Sequence, residues 1–564
     1  MRASPATRRT LQTLVALATA LVATAAPSVE RPYNVLFIAI DDLQPVLGAY
    51  GSQVAETPNM DALLDRGIRF ENIQAAKAEC APSRIRAWGF EGTFREKNAN
   101  LHTMPGWLRN SESKYRTVGV GKILDTRSFS STDEDDTTTI NKPDICEDED
   151  DKFCSWDEYY PPKEMRTSAE LCGKTVLRWP TAGENGDESL ENDKNYALEY
   201  SFDSAYQDRH LDYCVRKLGI EKLQELASNA SQPWFLGVGF VQPHMPWVAR
   251  NEDFGAYRTV PDSLLNPDPL VEDGTTWFSD KEYSARDNQE LSKYGNQDDL
   301  DDSDRVRGYY AGTRFIDEQI GELMKAFDEI DEEVRQNTLI IMWGDHGFHL
   351  GDRGLFGKKT VYEHATRVPA GIVPPENWLS LDSARRNGIG SYSTCPLDTV
   401  DFYPTVLDMI GLDRATQSGS TDPVVLGGTS LTGLFEDTDA CPRAAALSEY
   451  ENQKTTSSVR KACTGKTNSN WVCMGYSIRS KCYRLIVYMP LNEGSSDPTP
   501  DTSKITAVEI YRYAEPGVWE YEDGDTSDAE MSNAETQLTN LVTSLTDSDW
   551  THLIGQLPFD MDEC

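Results

Sequence analysis

Positive charge is scarce in this chain. Of its 564 residues, 54 are Lys or Arg against 92 Asp or Glu, a formal net charge of −38. Nucleic acid is excluded as a partner, because phosphate binding needs basic surface. An anionic substrate would require a local basic pocket inside an acidic shell, and the acid excess itself speaks for solubility or an acidic or saline milieu. Histidine is also scarce, with seven in all. No Cys-x-x-Cys occurs, which weighs against zinc ligation by cysteine. Two acidic runs, 131–195 and 297–304, lack EF-hand spacing and read as solvated surface rather than calcium loops. There are no internal repeats. Past the N-terminus no stretch is apolar enough to span a bilayer.

The length suffices for one large domain plus a smaller one, and 38% hydrophobic with 10% aromatic residues is a globular composition. Residues 1–28 read as a secretory signal: Arg2, Arg8 and Arg9 make a basic start, Leu11 to Ala23 a short apolar run, and Ala23-Thr24-Ala25 a cleavage site. The expectation is a chain of the secretory pathway, secreted or in a lysosome-like compartment, with no membrane association after cleavage. The sequon Asn229-Ala-Ser231 agrees. Eleven cysteines leave one thiol over, and with Cys80 set aside the other ten allow up to five disulfides, whose pairing the sequence does not give.

Asn34-Val-Leu-Phe-Ile-Ala-Ile40 is an unbroken apolar run, expected of a strand buried on both faces of a parallel sheet. It ends at Asp41-Asp42. Pro233 to Phe240 is a second such run, ending near Gln242-Pro243-His244, and Thr338 to Trp343 a third, ending at Gly344-Asp345-His346. Thr57-Pro58 begins a helical pattern with Leu63, Leu64 and Ile68 on one face, and Tyr309 to Ile330 has helical periodicity. The fold class is α/β: a large central, mostly parallel sheet flanked by helices. Residues 29–440 are the expected catalytic domain, with 131–195 an acidic insertion or long loop. Residues 441–564 are expected as a small α+β domain, with strands at 474–479 and 483–488 and a closing helix at 535–556. Ligand sites in such sheets lie beyond the carboxyl ends of the strands, so three strands deliver acids or His to one crevice. Paired carboxylates there are costly unless a cation neutralises them, and three Asp suit a hard divalent ion such as calcium. The rival reading makes Asp41 and Asp42 caps of a following helix and Asp345-His346 a turn. Asp208-x-His210 reads as a helix face.

Cys80-Ala81-Pro82-Ser83-Arg84 has the Cys-x-Pro-x-Arg pattern in which Cys is oxidised to formylglycine. With Asn34–Asp42, Thr57–Asp61, Val118-Gly-Val-Gly-Lys122, Gly239–Pro246, Gly344–Gly347 with Leu350-Gly351, Ala365–Pro369 and Met474–Arg479, the chain resembles the type I sulfatases of the alkaline-phosphatase superfamily, and among them the iduronate-2-sulfatases. The resemblance implies a sulfated carbohydrate as substrate, a formylglycine-generating enzyme as partner during maturation, and one bound Ca2+. It implies Asp41, Asp42, Asp345 and His346 at the calcium, with residue 80 completing it. Arg84 would hold the aldehyde hydrate, and Lys122 would bridge it and the sulfate. His244 and Lys358 would lie on sulfate oxygens, one of them protonating the leaving group. An aldehyde hydrate offers two hydroxyls, one to attack sulfur and one to eject sulfate as the aldehyde re-forms, so one hard step becomes two easier ones. Taken singly, Lys122, His244 and the adjacent pair Lys358-Lys359 also read as surface or loop residues.

Two departures stand out. Ile85-Arg86-Ala87 runs directly into Trp88-Gly-Phe90, where the family pattern carries Thr-Gly-Arg, and Asp125 stands where it places a His after the Lys. A catalytically impaired homologue that binds sulfated glycans is therefore an alternative. A phosphohydrolase of the same superfamily is a further one, disfavoured by a Cys at the nucleophile position and by the few histidines.

Overall fold

The computed structural model describes residues 32–86, 103–124, 154–167, 169–173, 199–229, 231–265, 302–352, 356–412, 428–452, 473–490, 507–513 and 521–523. The signal segment, Asp125, most of the acidic insertion and the expected closing helix lie outside them. The main sheet is built from β1 (Asn34–Ile40), β2 (Ile68–Phe70), β3 (Arg116–Gly121), β4 (Glu158–Tyr160), β5 (Trp234–Phe240), β6 (Thr338–Gly344), β7 (Ala370–Val373) and β8 (Ser391–Ser393), in the order β8-β2-β7-β6-β1-β5-β3-β4. Only β7 runs antiparallel to its neighbours. The apolar runs occupy the middle of the sheet, and every residue of β1, β5 and β6 is buried.

Alternation along β1 divides the core. Leu36, Ile38 and Ile40 face one side, packed with Val215 and Leu218 of α3 (Leu211–Ser228) and with Phe315, Ile316, Ile320 and Leu323 of α4 (Asp302–Glu329). Val35, Phe37 and Ala39 face the other, packed with Phe402, Val406 and Leu407 of α6 (Phe402–Ile410). The remaining labelled helices are α1 (Pro58–Leu64), α2 (Cys80–Arg86) and α5 (Glu363–Thr366). This is the helix-flanked, mostly parallel architecture expected from the periodicity.

Two local expectations are corrected. Ile68 does not share the helix face of Leu63 and Leu64; it opens β2. Gly67 passes so close to β7 that an added Cβ would lie 1.9 Å from the Ile372 carbonyl oxygen, so only glycine fits between α1 and β2. The acid-rich stretch 131–195 is not all loop either. Its residues 158–160 form edge strand β4, and Trp156 and Tyr159 are buried with their rings stacked at 5.5 Å. Asp208-x-His210 is structural: His210 caps α3, its Nδ1 accepting from the Asp212 N–H at 3.0 Å.

A second sheet, antiparallel throughout, comprises β9 (Ala446–Asn452), β10 (Cys473–Arg479), β11 (Tyr483–Pro490), β12 (Ala507–Tyr513) and β13 (Tyr521–Asp523). Disulfides join Cys172 to Cys214 and Cys395 to Cys441; Cys154 and Cys482 are also disulfide-bonded, whereas Cys80 is a free, buried thiol. Among the described residues no helix is long and apolar enough to cross a membrane.

Glu363 of α5 ties the second sheet to the first. Its Oε2 accepts from Arg479 Nε at 3.1 Å and from Tyr513 at 3.3 Å, and it contacts Arg484. Burial opposes the charge, but Arg479, Arg484 and Arg367 outweigh it and bring the carboxyl from its ordinary 4.5 to about 2. A shift of that size corresponds to a contribution on the order of 3 kcal/mol. Because the folded value lies below the unfolded one, the contribution is present above pH 4.5 and is lost as pH falls toward 2. Glu363→Gln is expected to destabilise the protein at neutral pH by roughly 3 kcal/mol in denaturant unfolding. The gap to wild type should narrow steadily below pH 4.5; a gap independent of pH would refute the assignment.

Candidate functional site

The register of the central strands decides what meets at the carboxyl edge of the sheet. Ile40 pairs with both Phe240 and Gly344, and Gly121 pairs with Gly239. Asp41-Asp42, Asp345-His346, Val241 to His244 and Lys122 therefore leave four adjacent strands side by side. The Lys122 N–H donates to the Gly239 carbonyl at 2.7 Å. A Cβ on Gly239 would lie 2.1 Å from the Lys122 carbonyl carbon, so glycine is what lets β3 deliver its lysine across β5. Residue 80 comes from elsewhere, at the start of α2, four residues before Arg84 on the same helix.

Asp41, Asp42 and Asp345 are all buried at the cluster. Asp42 has a φ of 59°, a left-handed conformation that Asp tolerates better than most residues and that concentrates at functional sites. Its N–H donates to Asp345 Oδ1 at 3.0 Å. Arg84, also buried, forks across two strands: Nε donates to Asp345 Oδ2 at 2.9 Å, NH2 to Asp41 Oδ1 at 3.2 Å, and NH1 to the Lys122 carbonyl. Lys122 Nζ donates to Asp41 Oδ2. Lys358 Nζ lies 2.5 Å from Asp42 Oδ1 and 3.0 Å from Cys80 Sγ. His346 is anchored through Nδ1 to the Gly347 carbonyl at 2.9 Å, and its Nε2 stands 3.4 Å from Cys80 Sγ, 3.4 Å from Asp42 Oδ1 and 3.6 Å from Asp345 Oδ2. His244 Nδ1 is fixed on the Met245 carbonyl at 2.6 Å, with Nε2 4.0 Å from Asp42 Oδ2. All nine residues singled out from the sequence thus share one constellation, and neither the helix-cap reading of Asp41-Asp42 nor the surface readings of Lys122, His244 and Lys358 describes what they contact.

The charges do not titrate alike. Burial raises both Asp41 and Asp345. For Asp41 the surrounding Lys122, His244, Arg84 and Lys358 win and hold the carboxyl well below its usual range. For Asp345 burial wins over Arg84 and His346, with Asp41 and Asp42 adding repulsion, and its value rises. Burial penalises charge on His244, but Asp42 and Asp41 outweigh it and raise the ring, which favours the protonated form. The Cys80 thiol is drawn well down: burial and Asp41 oppose its ionisation, while Lys122 and Lys358 favour it. Arg84, Lys122 and Lys358 thus gather around residue 80 despite the net charge of −38, each paired with a buried carboxylate.

The donor set suits a hard divalent cation. Asp41, Asp42, Cys80 and His244 offer ligand atoms within 4.8 Å of one another, and so do Asp41, Cys80, Asp345 and His346. Asp42 Oδ2 is buried with no hydrogen-bond partner among the described residues, a position that a cation would satisfy. Cys80 Sγ stands where the oxygen of an oxidised residue 80 would stand. Two further residues escaped the sequence reading. The Tyr309 hydroxyl donates to the Asp42 carbonyl at 2.7 Å and accepts from the Gln44 N–H at 2.9 Å, bracing the left-handed turn. Ser83 Oγ donates to the Asp345 carbonyl. A helical periodicity that assigns Tyr309 to the core says nothing of its hydroxyl, and Ser83 falls on a variable position of the pentapeptide.

The sulfatase family model matches residues 33–412. The chain belongs to the sulfatase family. It is 26% identical over 531 residues to the iduronate 2-sulfatase of Homo sapiens, covering 86% of this chain and 90% of that protein. It is 24% identical over 538 residues to the N-acetylglucosamine-6-O-sulfatase of Bacteroides thetaiotaomicron, covering 86% and 83%. Among solved structures, a phosphonate monoester hydrolase from Silicibacter pomeroyi superposes with a TM-score of 0.61 at 18% identity, over 90% of this chain and 94% of that one. An enzyme in complex with its substrate D-glucosamine-2-N,6-O-disulfate gives 0.54 at 19% identity, over 91% and 97%. These structural likenesses speak to the alkaline-phosphatase-like fold.

Arg84 joins two buried carboxylates that otherwise face each other, so Arg84→Ala should cost about 3–5 kcal/mol of folding stability. Arg84→Lys should recover less than half, since an ammonium cannot fork between Asp41 and Asp345. Equal stability of the Lys variant and wild type in urea unfolding would contradict the assignment.

Proposed function

We propose that this chain is a calcium-dependent sulfatase acting on sulfated carbohydrate, of the iduronate-2-sulfatase kind, exo-acting on sulfated uronic acids of a polysaccharide, with Cys80 matured to formylglycine. The observation that carries this is the meeting of four hard or borderline ligands (Asp41, Asp42, Asp345, His346) with Arg84, Lys122, Lys358 and His244 around residue 80. Family membership supports the reaction class, and the curated relatives support the carbohydrate. Asp41, Asp42, Asp345, His346 and residue 80 would hold a calcium ion, which would supply Lewis-acid polarisation of the oxygens brought to it.

The chain's own residues do the rest. Arg84 fixes the helix that carries residue 80 against Asp41 and Asp345. Lys122 and Lys358 each reach from a different strand or loop into the cluster, where an ester's sulfate oxygens would meet cations. Lys358 is within reach of the residue-80 side chain and positions it. His244, whose ring its carboxylate neighbours raise toward the protonated form against burial, would give its Nε2 proton to the leaving alcohol, with Lys358 the other candidate. Passage through the secretory pathway is supported by the signal-like N-terminus and by exposed Asn229, and maturation would require a formylglycine-generating enzyme.

The missing Thr-Gly-Arg block after Arg84 favours one second reading, a non-catalytic homologue that binds sulfated glycans. Mass analysis of a proteolytic peptide containing residue 80, with turnover of an aryl sulfate, separates the two. A CHO group in place of CH2SH together with sulfate release is expected. Intact cysteine without turnover sinks the proposal, and faster release from a phosphonate monoester would move the chain to the phosphohydrolases. Lys358→Ala should lower kcat by about 10²-fold or more. Added calcium should raise the unfolding free energy by about 2.7 kcal/mol at a hundredfold excess over Kd. That gain should vanish in Asp42→Asn; calorimetric scans with and without the ion decide.

A further inference from the structure

His349, Asp352 and His364 form a second buried cluster that sulfate chemistry leaves unused. His349 lies in a short ribbon pairing His349–Leu350 with Phe356–Gly357, Asp352 follows two residues after that first strand, and His364 sits in α5. Their exposures are 0%, 3% and 8%. Both rings turn Nδ1 toward one carboxylate oxygen: His349 Nδ1 contacts Asp352 Oδ2, and His364 Nδ1 is 3.2 Å from it. One ligand atom from each residue lies within 4.8 Å of the others.

The outward sides of the cluster are tethered. Asp352 Oδ1 accepts from the Leu350 N–H at 2.9 Å, and His349 Nε2 is bonded to Thr360 Oγ1 at 2.8 Å. A ligating imidazole characteristically fixes one nitrogen on an outer partner and keeps the other for the ion. Donors bound tetrahedrally at zinc's ~2.0–2.1 Å lie about 3.3 Å apart, close to the 3.2 Å between His364 Nδ1 and Asp352 Oδ2; His349 Nδ1, in direct contact with Asp352 Oδ2, would have to draw back from it to admit the ion. The two rings also hold Asp352 ionised, at about 2, against burial.

We infer that His349, Asp352 and His364 form a second divalent-cation site, one that takes a zinc-class ion. Two nitrogens and one carboxylate make a borderline-soft set, unlike the carboxylate-rich cluster at Asp41, Asp42 and Asp345 that suits calcium. The ion would pin the ribbon to α5. Lys358 directly follows that ribbon, so the site would brace the loop that carries Lys358 into the first cluster. The assignment does not depend on whether Cys80 is matured.

The test uses the full chain, stripped with chelator and returned to excess calcium, with zinc alone as the probe. Metal analysis after gel filtration should find one zinc per chain. Asp352→Asn and His364→Gln should lose it. Asp42→Asn should keep it. Thr360→Val, which removes only the outer partner, should weaken zinc binding by about 10–100-fold in calorimetric titration. Should the ligand variants fail to fold, wild type, Asp42→Asn and Thr360→Val decide alone. No zinc retained by wild type overturns the inference, as does zinc lost in Asp42→Asn, or retained unweakened in Thr360→Val and in either ligand variant.

Discussion

Three carboxylates buried at one end of a parallel sheet set the terms for everything around them. Asp41, Asp42 and Asp345 lie out of water, and carboxylates there are tolerable only if cations and hydrogen-bond donors answer them. Arg84, Lys122 and Lys358 are the answer in this chain, each bonded to at least one of the three. The same side chains then present positive charge toward residue 80. Neutralising the acids and gathering cations beside residue 80 are one arrangement, which is how a strongly acidic protein comes to concentrate Arg84, Lys122 and Lys358 in one place.

The fold is what makes that arrangement reachable. Four strands end level, so their next residues are neighbours without any long loop to order. Gly121 and Gly239 permit the tight crossing that brings in Lys122. Tyr309 reaches from α4 to hold the Asp42 turn in its left-handed conformation. The left-handed backbone at Asp42 is thus met by a hydroxyl from the helix layer.

Much of this was legible in the sequence because two signals coincided. Unbroken apolar runs mark strands buried on both faces, and acids directly after them mark the strand ends. Cys80, Arg84 and the lysines were legible through the family pattern. Other features left no such trace. Trp156 and Tyr159 sit in a stretch dominated by acids, where composition pointed to loop, yet stacked aromatics are enough to secure an edge strand. Ile68 satisfied a helical period, but the helix ends at Leu64 and Ile68 opens a strand paired with Ile372. Periodicity reports which face is apolar, and it is silent on hydroxyls such as that of Tyr309 and on contacts between residues far apart in the chain, such as Glu363 with Arg479 and Arg484.

Residues 345–364 concentrate these demands. Asp345 and His346 face residue 80, His349 and Asp352 face His364, Lys358 reaches back to Asp42, and Glu363 grips the second sheet. The described residues of this segment form only short strands and one short helix, so many of its side chains are held by polar contacts. It is fixed by such contacts at both ends and in the middle, and each contact limits the freedom of Lys358. The second sheet meets this segment at its end: Arg479 and Arg484 hold Glu363, and Glu363 opens α5. Lys358, five residues before Glu363, thus lies between two polar anchors, Asp42 at the strand ends and the arginines of the second sheet.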